Sequence, residues 1–195
     1  MNDILPMHAA DGTPAAWHID RHLIVTAPAR TGGSTLLTRL LDPGDAYVNV
    51  ASSHIPPIPD GIRFAGRDDL DGALAAADAQ PARIAVDGME YWLRGPDEPI
   101  ANPRNNPRIS AWNAAMRDAA HRRALFRDRL RRAAEHGTRL ILLFRTPHAD
   151  TLLGRWPCGV TPTRCDRIVL ERPRDGRAPA LFAAMGGAPL RCERD

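Results

Sequence analysis

Short apolar runs alternate with turn-forming clusters along this chain, and the spacing inside each run sets the element it predicts. Residues 22–26, HLIVT, form a β-branched apolar run, and the leucines of LLTRLL at 36–41 follow at helical spacing. Upstream, Asp11-Gly12 is a turn signal, and PAAWHID at 14–20 reads as a short strand. Downstream, AYVNVAS at 46–52 and IRFAG at 62–66 read as strands around a proline-rich loop. DDLDGALAAADA at 68–79 is an alanine-rich helix opened by acids, which suit the positive end of a helix. ARIAVDG at 82–88 and TRLILLF at 138–144 are buried strands, separated by the longest helix, about 110–136. In that helix Trp112, Met116, Ala119, Ala120, Phe126, Leu130 and Ala133 make an apolar stripe expected to pack on the sheet. DRIVLERP at 166–173 is a late strand, and residues 178–193 form a closing hairpin that turns near Gly186-Gly187. Strands alternating with helices predict an α/β domain of three layers with a mainly parallel sheet.

Composition narrows this picture. The 195 residues suffice for one domain spanning the whole chain, with 94–108, rich in proline and asparagine, as a flexible insertion. Hydrophobic residues make up 44%, and no apolar run approaches the length of a membrane span. The opening MNDILPMHAADG lacks the basic and apolar regions of a signal peptide. Cys158, Cys165 and Cys192 form no C-x-x-C pair, so a reducing cytoplasm is the expected compartment. All 26 basic residues are arginine. No lysine elsewhere in the chain can therefore supply a missing one.

The chemistry begins between the first core strand and its helix. Strand, glycine loop, hydroxyl pair and helix follow in the order of a phosphate-binding loop, G-x-x-x-x-G-K-[ST]. On that form Ala27 takes the first glycine, Gly32 the second, Gly33 the lysine and Ser34 the hydroxyl. Arg30, Thr31, Gly32, Gly33, Ser34 and Thr35 are the candidate nucleotide-binding residues. Arg30 could replace the lysine, although a guanidinium is a planar fork and an ammonium a compact charge. A plainer reading is a βα turn whose glycines serve packing.

A second strand ends in Asp87, where such proteins hold Mg²⁺, so Ser34 and Asp87 are the candidate metal positions. The next residue, which in ATP-hydrolysing motors is a glutamate, is Gly88; Glu90 is the nearest carboxylate. The plainer role of Asp87 is a strand-end helix cap. In the long helix HRRALFRDRLRR carries six arginines against one aspartate. Arg123, Arg127 and Arg131 are the candidates for contact with nucleic acid or an acidic partner, against the alternative of a solvated face. His148 lies on a loop with no positioned partner and is read as surface.

Five segments in order resemble the motor domain of the FtsK/SpoIIIE family. They are DGTPAAWHIDRHLIVTA, ARTGGSTLLTRLL, RIAVDGMEYWL, RRAAEHGTRLILLFRTP and DGRAPALFAAMGGAPLRCE, and they span nearly the whole chain. The family's members are hexameric RecA-like ATPases that pump DNA, including conjugation translocases and the EccC-like ATPase domains of type VII secretion. The resemblance implies a RecA-like P-loop fold with a C-terminal β-hairpin, with ATP and Mg²⁺ as ligands. It also implies a sensor position, normally glutamine, at Arg145. The loop glycine, the lysine, the glutamate and the sensor have become Ala27, Gly33, Gly88 and Arg145. Loss of these groups with the frame retained implies a pseudo-ATPase with no catalytic residue and weak ATP and Mg²⁺ binding at most. Such a domain would be a binding or regulatory part of a DNA or protein translocation system, in a homo-oligomer or beside an active FtsK-like paralogue. The alternatives are an active NTPase using Arg30, or a protein-recognition domain using the emptied pocket. If the frame is otherwise intact, lysine at 33 together with glutamate at 88 is expected to restore hydrolysis.

Overall fold

The computed structural model describes every residue except 1, 10, 19, 50–54, 67–68, 95–97, 156, 174–177 and 195. Parts of four expected elements lie outside the described residues: 19 of the strand at 14–20, 50–52 of the strand at 46–52, 68 of the alanine-rich helix and 95–97 of the insertion. The chain opens with β1 (Asn2–Ala9) and β2 (Pro14–His18), followed by β3 (His22–Thr26), α1 (Gly33–Arg39), β4 (Ala46–Asn49) and β5 (Arg63–Ala65). Then come α2 (Leu70–Asp78), β6 (Arg83–Asp87), α3 (Met89–Trp92), α4 (Pro107–Glu135) and β7 (Arg139–Phe144). It closes with α5 (Ala149–Arg155), a 3₁₀ turn at Pro162–Arg164, β8 (Cys165–Leu170), β9 (Pro179–Ala183) and β10 (Leu190–Arg194).

Among the described residues ten strands join in one sheet in the order β2-β1-β10-β9-β8-β3-β7-β6-β4-β5. From β8 to β5 every neighbouring pair is parallel, and from β8 through β9, β10 and β1 to β2 every pair is antiparallel. The mainly parallel α/β sheet and the C-terminal hairpin expected from the sequence are both present. The hairpin continues into β1, an element the sequence pattern did not single out.

Strand alternation divides the core in two. Leu23, Val25, Tyr47, Ala85, Ile141 and Leu143 face α1 and meet its Leu36 and Leu37. Ile24, Val48, Ile84, Val86, Leu140, Leu142 and Phe144 face the opposite way, against α2, α3, α4 and α5. Helices on both faces of a parallel sheet make three layers. On the second face Trp92 and Phe126 pack with ring centroids 4.1 Å apart.

One expectation is corrected here. The stripe on the long helix is buried only at Phe126, Leu130 and Ala133; Trp112 stays 53% exposed and Met116 half-buried. The cause is length. At 29 residues α4 spans about 43 Å, more than twice the reach of the six-residue strand β7, so its first half overhangs. Between α3 and α4 the described residues of 94–106 form a mostly exposed stretch without helix or strand, and asparagine side chains bond within it. Asn113 exchanges two hydrogen bonds with the backbone of Ile100, at 2.8 and 2.9 Å. Asn102 donates to Ser110 Oγ and accepts from the Asn106 backbone. Asn106 caps α4 ahead of Pro107. Prolines remove backbone donors, and the asparagine side chains make the bonds instead.

Among the described residues no helix is long and apolar enough to cross a membrane. The three cysteines are free and buried, and burial raises their thiols, that of Cys158 to about 12.

Candidate functional site

The connection after β3 runs to one face of the sheet and the connection after β7 to the other. Adjacent parallel strands that part in this way open a crevice at their carboxyl ends, where ligands of such sheets bind. Four side chains reach that point from the α1 face, because residues two apart on a strand share a face. Tyr47 and Ala85 are paired in register on β4 and β6, which puts Asp87 on the side of the Tyr47 ring. Leu143 on β7 faces α1, and Arg145, two residues on, leaves the strand end on the same side.

What they form is a closed polar cluster. Nη2 of Arg145 donates to Asp87 Oδ1 at 2.7 Å and to Ser34 Oγ at 2.9 Å. The Tyr47 hydroxyl donates to Asp87 Oδ2 at 3.0 Å. Asp87 is fully buried, and the side chain of Arg145 retains 23% exposure. Burial, reinforced by the negative charge of Asp87, drives the Tyr47 phenol far above its ordinary range, so it stays a donor. From the other face Glu90, on α3, accepts the backbone N–H of Arg145 at 3.2 Å and fixes where its side chain departs. Burial raises the Glu90 carboxyl above the usual range. His148 is exposed, as expected.

The loop itself is turned inward. Thr31 is buried, and its hydroxyl donates to the Pro28 carbonyl at 2.7 Å, inside the loop. Arg30 is exposed with φ +64°, and Thr35 is exposed. Gly32 is left-handed, φ +81°, and precedes α1. Gly33, at the lysine position, is buried. A Cβ placed there would stand 2.8 Å from the Ala27 methyl and 3.1 Å from a Leu143 methyl. The first and third fixed positions of the motif have thus exchanged size. The methyl of Ala27 fills the space that a side chain at 33 would need to leave the backbone. Gly88 is left-handed as well, φ +80°, where any other L-residue is strained by about 1–2 kcal/mol. Side chains introduced at 33 and 88 would therefore both meet strain, from packing at 33 and from the backbone conformation at 88.

The resemblance places Mg²⁺ between Ser34 and Asp87. These residues do converge, since both bond one nitrogen. They do not fit the ion, because one Asp87 oxygen is held by Tyr47, the other by Arg145, and the Ser34 hydroxyl meets the same guanidinium. A divalent ion there would face a fixed positive charge at contact distance. Among the described residues no group of three or more histidines, cysteines or acids could hold a metal elsewhere.

Each of the three candidate arginines of α4 has a partner in the fold. Arg123 is buried, with its guanidinium 5.7 Å from the centroid of the Tyr91 ring. Arg127 donates to the Trp92 carbonyl at 2.6 Å, and burial, with Arg123 nearby, lowers its pKa. Arg131 pairs with Asp128 and Glu135. The three do not share one open face.

Sequence reasoning missed Tyr47 and the contact of Glu90 with Arg145. Its one available signal was an aromatic in a strand otherwise free of them. No protein-family model matches the chain, and a search of curated proteins also finds no match.

Proposed function

We propose that this chain is a degenerate FtsK/SpoIIIE-like ATPase domain that no longer turns over nucleotide and acts as a binding or regulatory component of a translocation machine. The observation that carries the inactive part is the wall at Gly33, where Ala27 and Leu143 occupy the way out of a lysine side chain. Phosphoryl transfer depends on positioned charge around the phosphate, so a loop that cannot seat its lysine loses most of its rate. The RecA-like part draws support from the strand order β8-β3-β7-β6-β4, with the loop and Asp87 together at one edge. Between cargoes, the engagement of Arg123, Arg127 and Arg131 within the fold favours a protein partner over DNA.

The test is ATP hydrolysis by the purified chain, alongside calorimetry with ATP and ADP in the presence and absence of Mg²⁺. The expected outcome is no turnover above an Asp87→Asn control. Several turnovers per second, abolished by Asp87→Asn, would overturn the reading and point to Arg30 or to a residue from a neighbouring subunit.

A further inference from the structure

We infer that Arg145 is the resident cation of this edge: its guanidinium holds together the two groups that a divalent ion would bridge, and so the site takes no divalent metal while Arg145 is in place. This inference rests on reading the edge as a degenerate phosphate-loop site. It concerns a different property from the lysine wall, namely which cation neutralises Asp87.

Three features converge on it. Asp87 is fully buried, and a buried carboxylate needs a compensating charge. One is supplied at 2.7 Å by Arg145, and the same nitrogen gathers Ser34 from the far side of the crevice. The backbone from which the side chain departs is also held, since the Arg145 N–H donates to Glu90, whose two oxygens lie within 3.4 Å of that nitrogen. A cation carried on the chain in this way is always present at full occupancy and needs no ligand to recruit it. The cluster ties the loop before α1, the end of β6 and the end of β7 into one unit. In a metal-dependent site the same three segments would be joined only when metal and nucleotide arrive.

The prediction is cation exchange. Removing the guanidinium leaves Ser34 and Asp87 facing an uncompensated space, and a divalent ion can then enter. Thermal unfolding of the full chain with and without millimolar Mn²⁺ reads this directly, with electron paramagnetic resonance to count bound Mn²⁺. Wild type and Arg145→Lys, which keeps a cation, should be unmoved by Mn²⁺. Arg145→Gln should melt lower than wild type and regain about 3 °C or more with Mn²⁺. The double variant Arg145→Gln with Asp87→Asn, which has no charge left to compensate, should melt above Arg145→Gln and ignore Mn²⁺. A Mn²⁺-dependent rise in wild type that Asp87→Asn removes would overturn the inference, and this arm requires no Arg145 variant to fold. Folded Arg145→Gln with no Mn²⁺ response beyond the double variant would overturn it too. A wild-type Mn²⁺ response without ATP turnover would refute the resident cation and leave the inactive reading standing; ATP turnover without a Mn²⁺ response would do the reverse.

Discussion

At the residue scale the loop's altered positions act as a pair. Gly33→Lys alone drives a Cβ against Ala27 and Leu143, and overpacking of this kind costs about 1–3 kcal/mol. Ala27→Gly together with Gly33→Lys removes the nearest contact and should recover most of that loss. Urea denaturation of the two single variants and the double measures the coupling, and strict additivity would refute it. A second residue-scale effect belongs to His22. Its Nδ1 accepts the Leu140 backbone N–H at 3.0 Å, and burial, with Arg139 adding to it, depresses the imidazole to about 4. In the unfolded chain the value returns to about 6.5. The unfolded state therefore binds more protons between these values, so this contribution is complete above pH 6.5 and is lost as the pH falls towards 4. The loss is on the order of 2 kcal/mol. Asp45 and Glu90, raised by burial, act with the opposite sign, so the measurement compares wild type with His22→Asn, which keeps an acceptor near Nδ1. The variant should lose less stability than wild type between pH 6.5 and 4.

At the scale of elements α4 is two helices in one. Its second half is a core element, with Phe126 fully buried against Trp92. Its first half overhangs the sheet and is anchored through Asn102, Asn106 and Asn113 to the segment that precedes it. Phe126→Ala should then cost about 3–5 kcal/mol, whereas Trp112→Ala should stay within about 0.5 kcal/mol. Chemical denaturation separates the two readily. A large loss at Trp112 would mean that the overhang packs on something in solution. The apolar period of this helix is present in both halves, with a break only between Ala120 and Phe126, so it could not distinguish a buried stripe from an overhanging one. Burial depends on where the sheet stops.

At the scale of the whole molecule the balance is mildly basic, +3, but several arginines of the long helix have acidic partners in the fold. Arg129 pairs with Asp78, linking α4 to α2, and Arg122 and Arg132 pair with Asp118 and Asp128 along α4. Non-specific nucleic-acid binding requires a free basic stripe, and its affinity falls steeply with salt. Duplex DNA should therefore bind no more tightly than to a neutral protein even at low salt, by fluorescence anisotropy. Tight binding with a steep salt slope, weakened by Arg131→Glu, would restore DNA as the cargo. Arg127→Glu is a poorer probe, because it also breaks the bond to the Trp92 carbonyl.

Read alone, the residues settled a good deal of this protein. Alternating apolar runs and helical repeats located β3, β6, β7, the long helix and the closing hairpin, because periodicity reports which side of an element meets the core. The order of loop and Asp-terminated strand brought Ser34 and Asp87 into one candidate site, and they do share a partner. The pairing of the hairpin with β1 stayed hidden, since contact across almost the full chain leaves no local signal, although Asp11-Gly12 marked the turn that joins β1 to β2. The same holds for the site's chemistry. That Gly33 is closed off follows from the Ala27 methyl and Leu143, which lies 110 residues away along the chain. That Arg145 stands between Ser34 and Asp87 follows from its exit on the α1 face at the end of β7, beside the crevice. A side chain's identity is written in the sequence, but the space and charge around it are set by strands that only the folded sheet brings side by side.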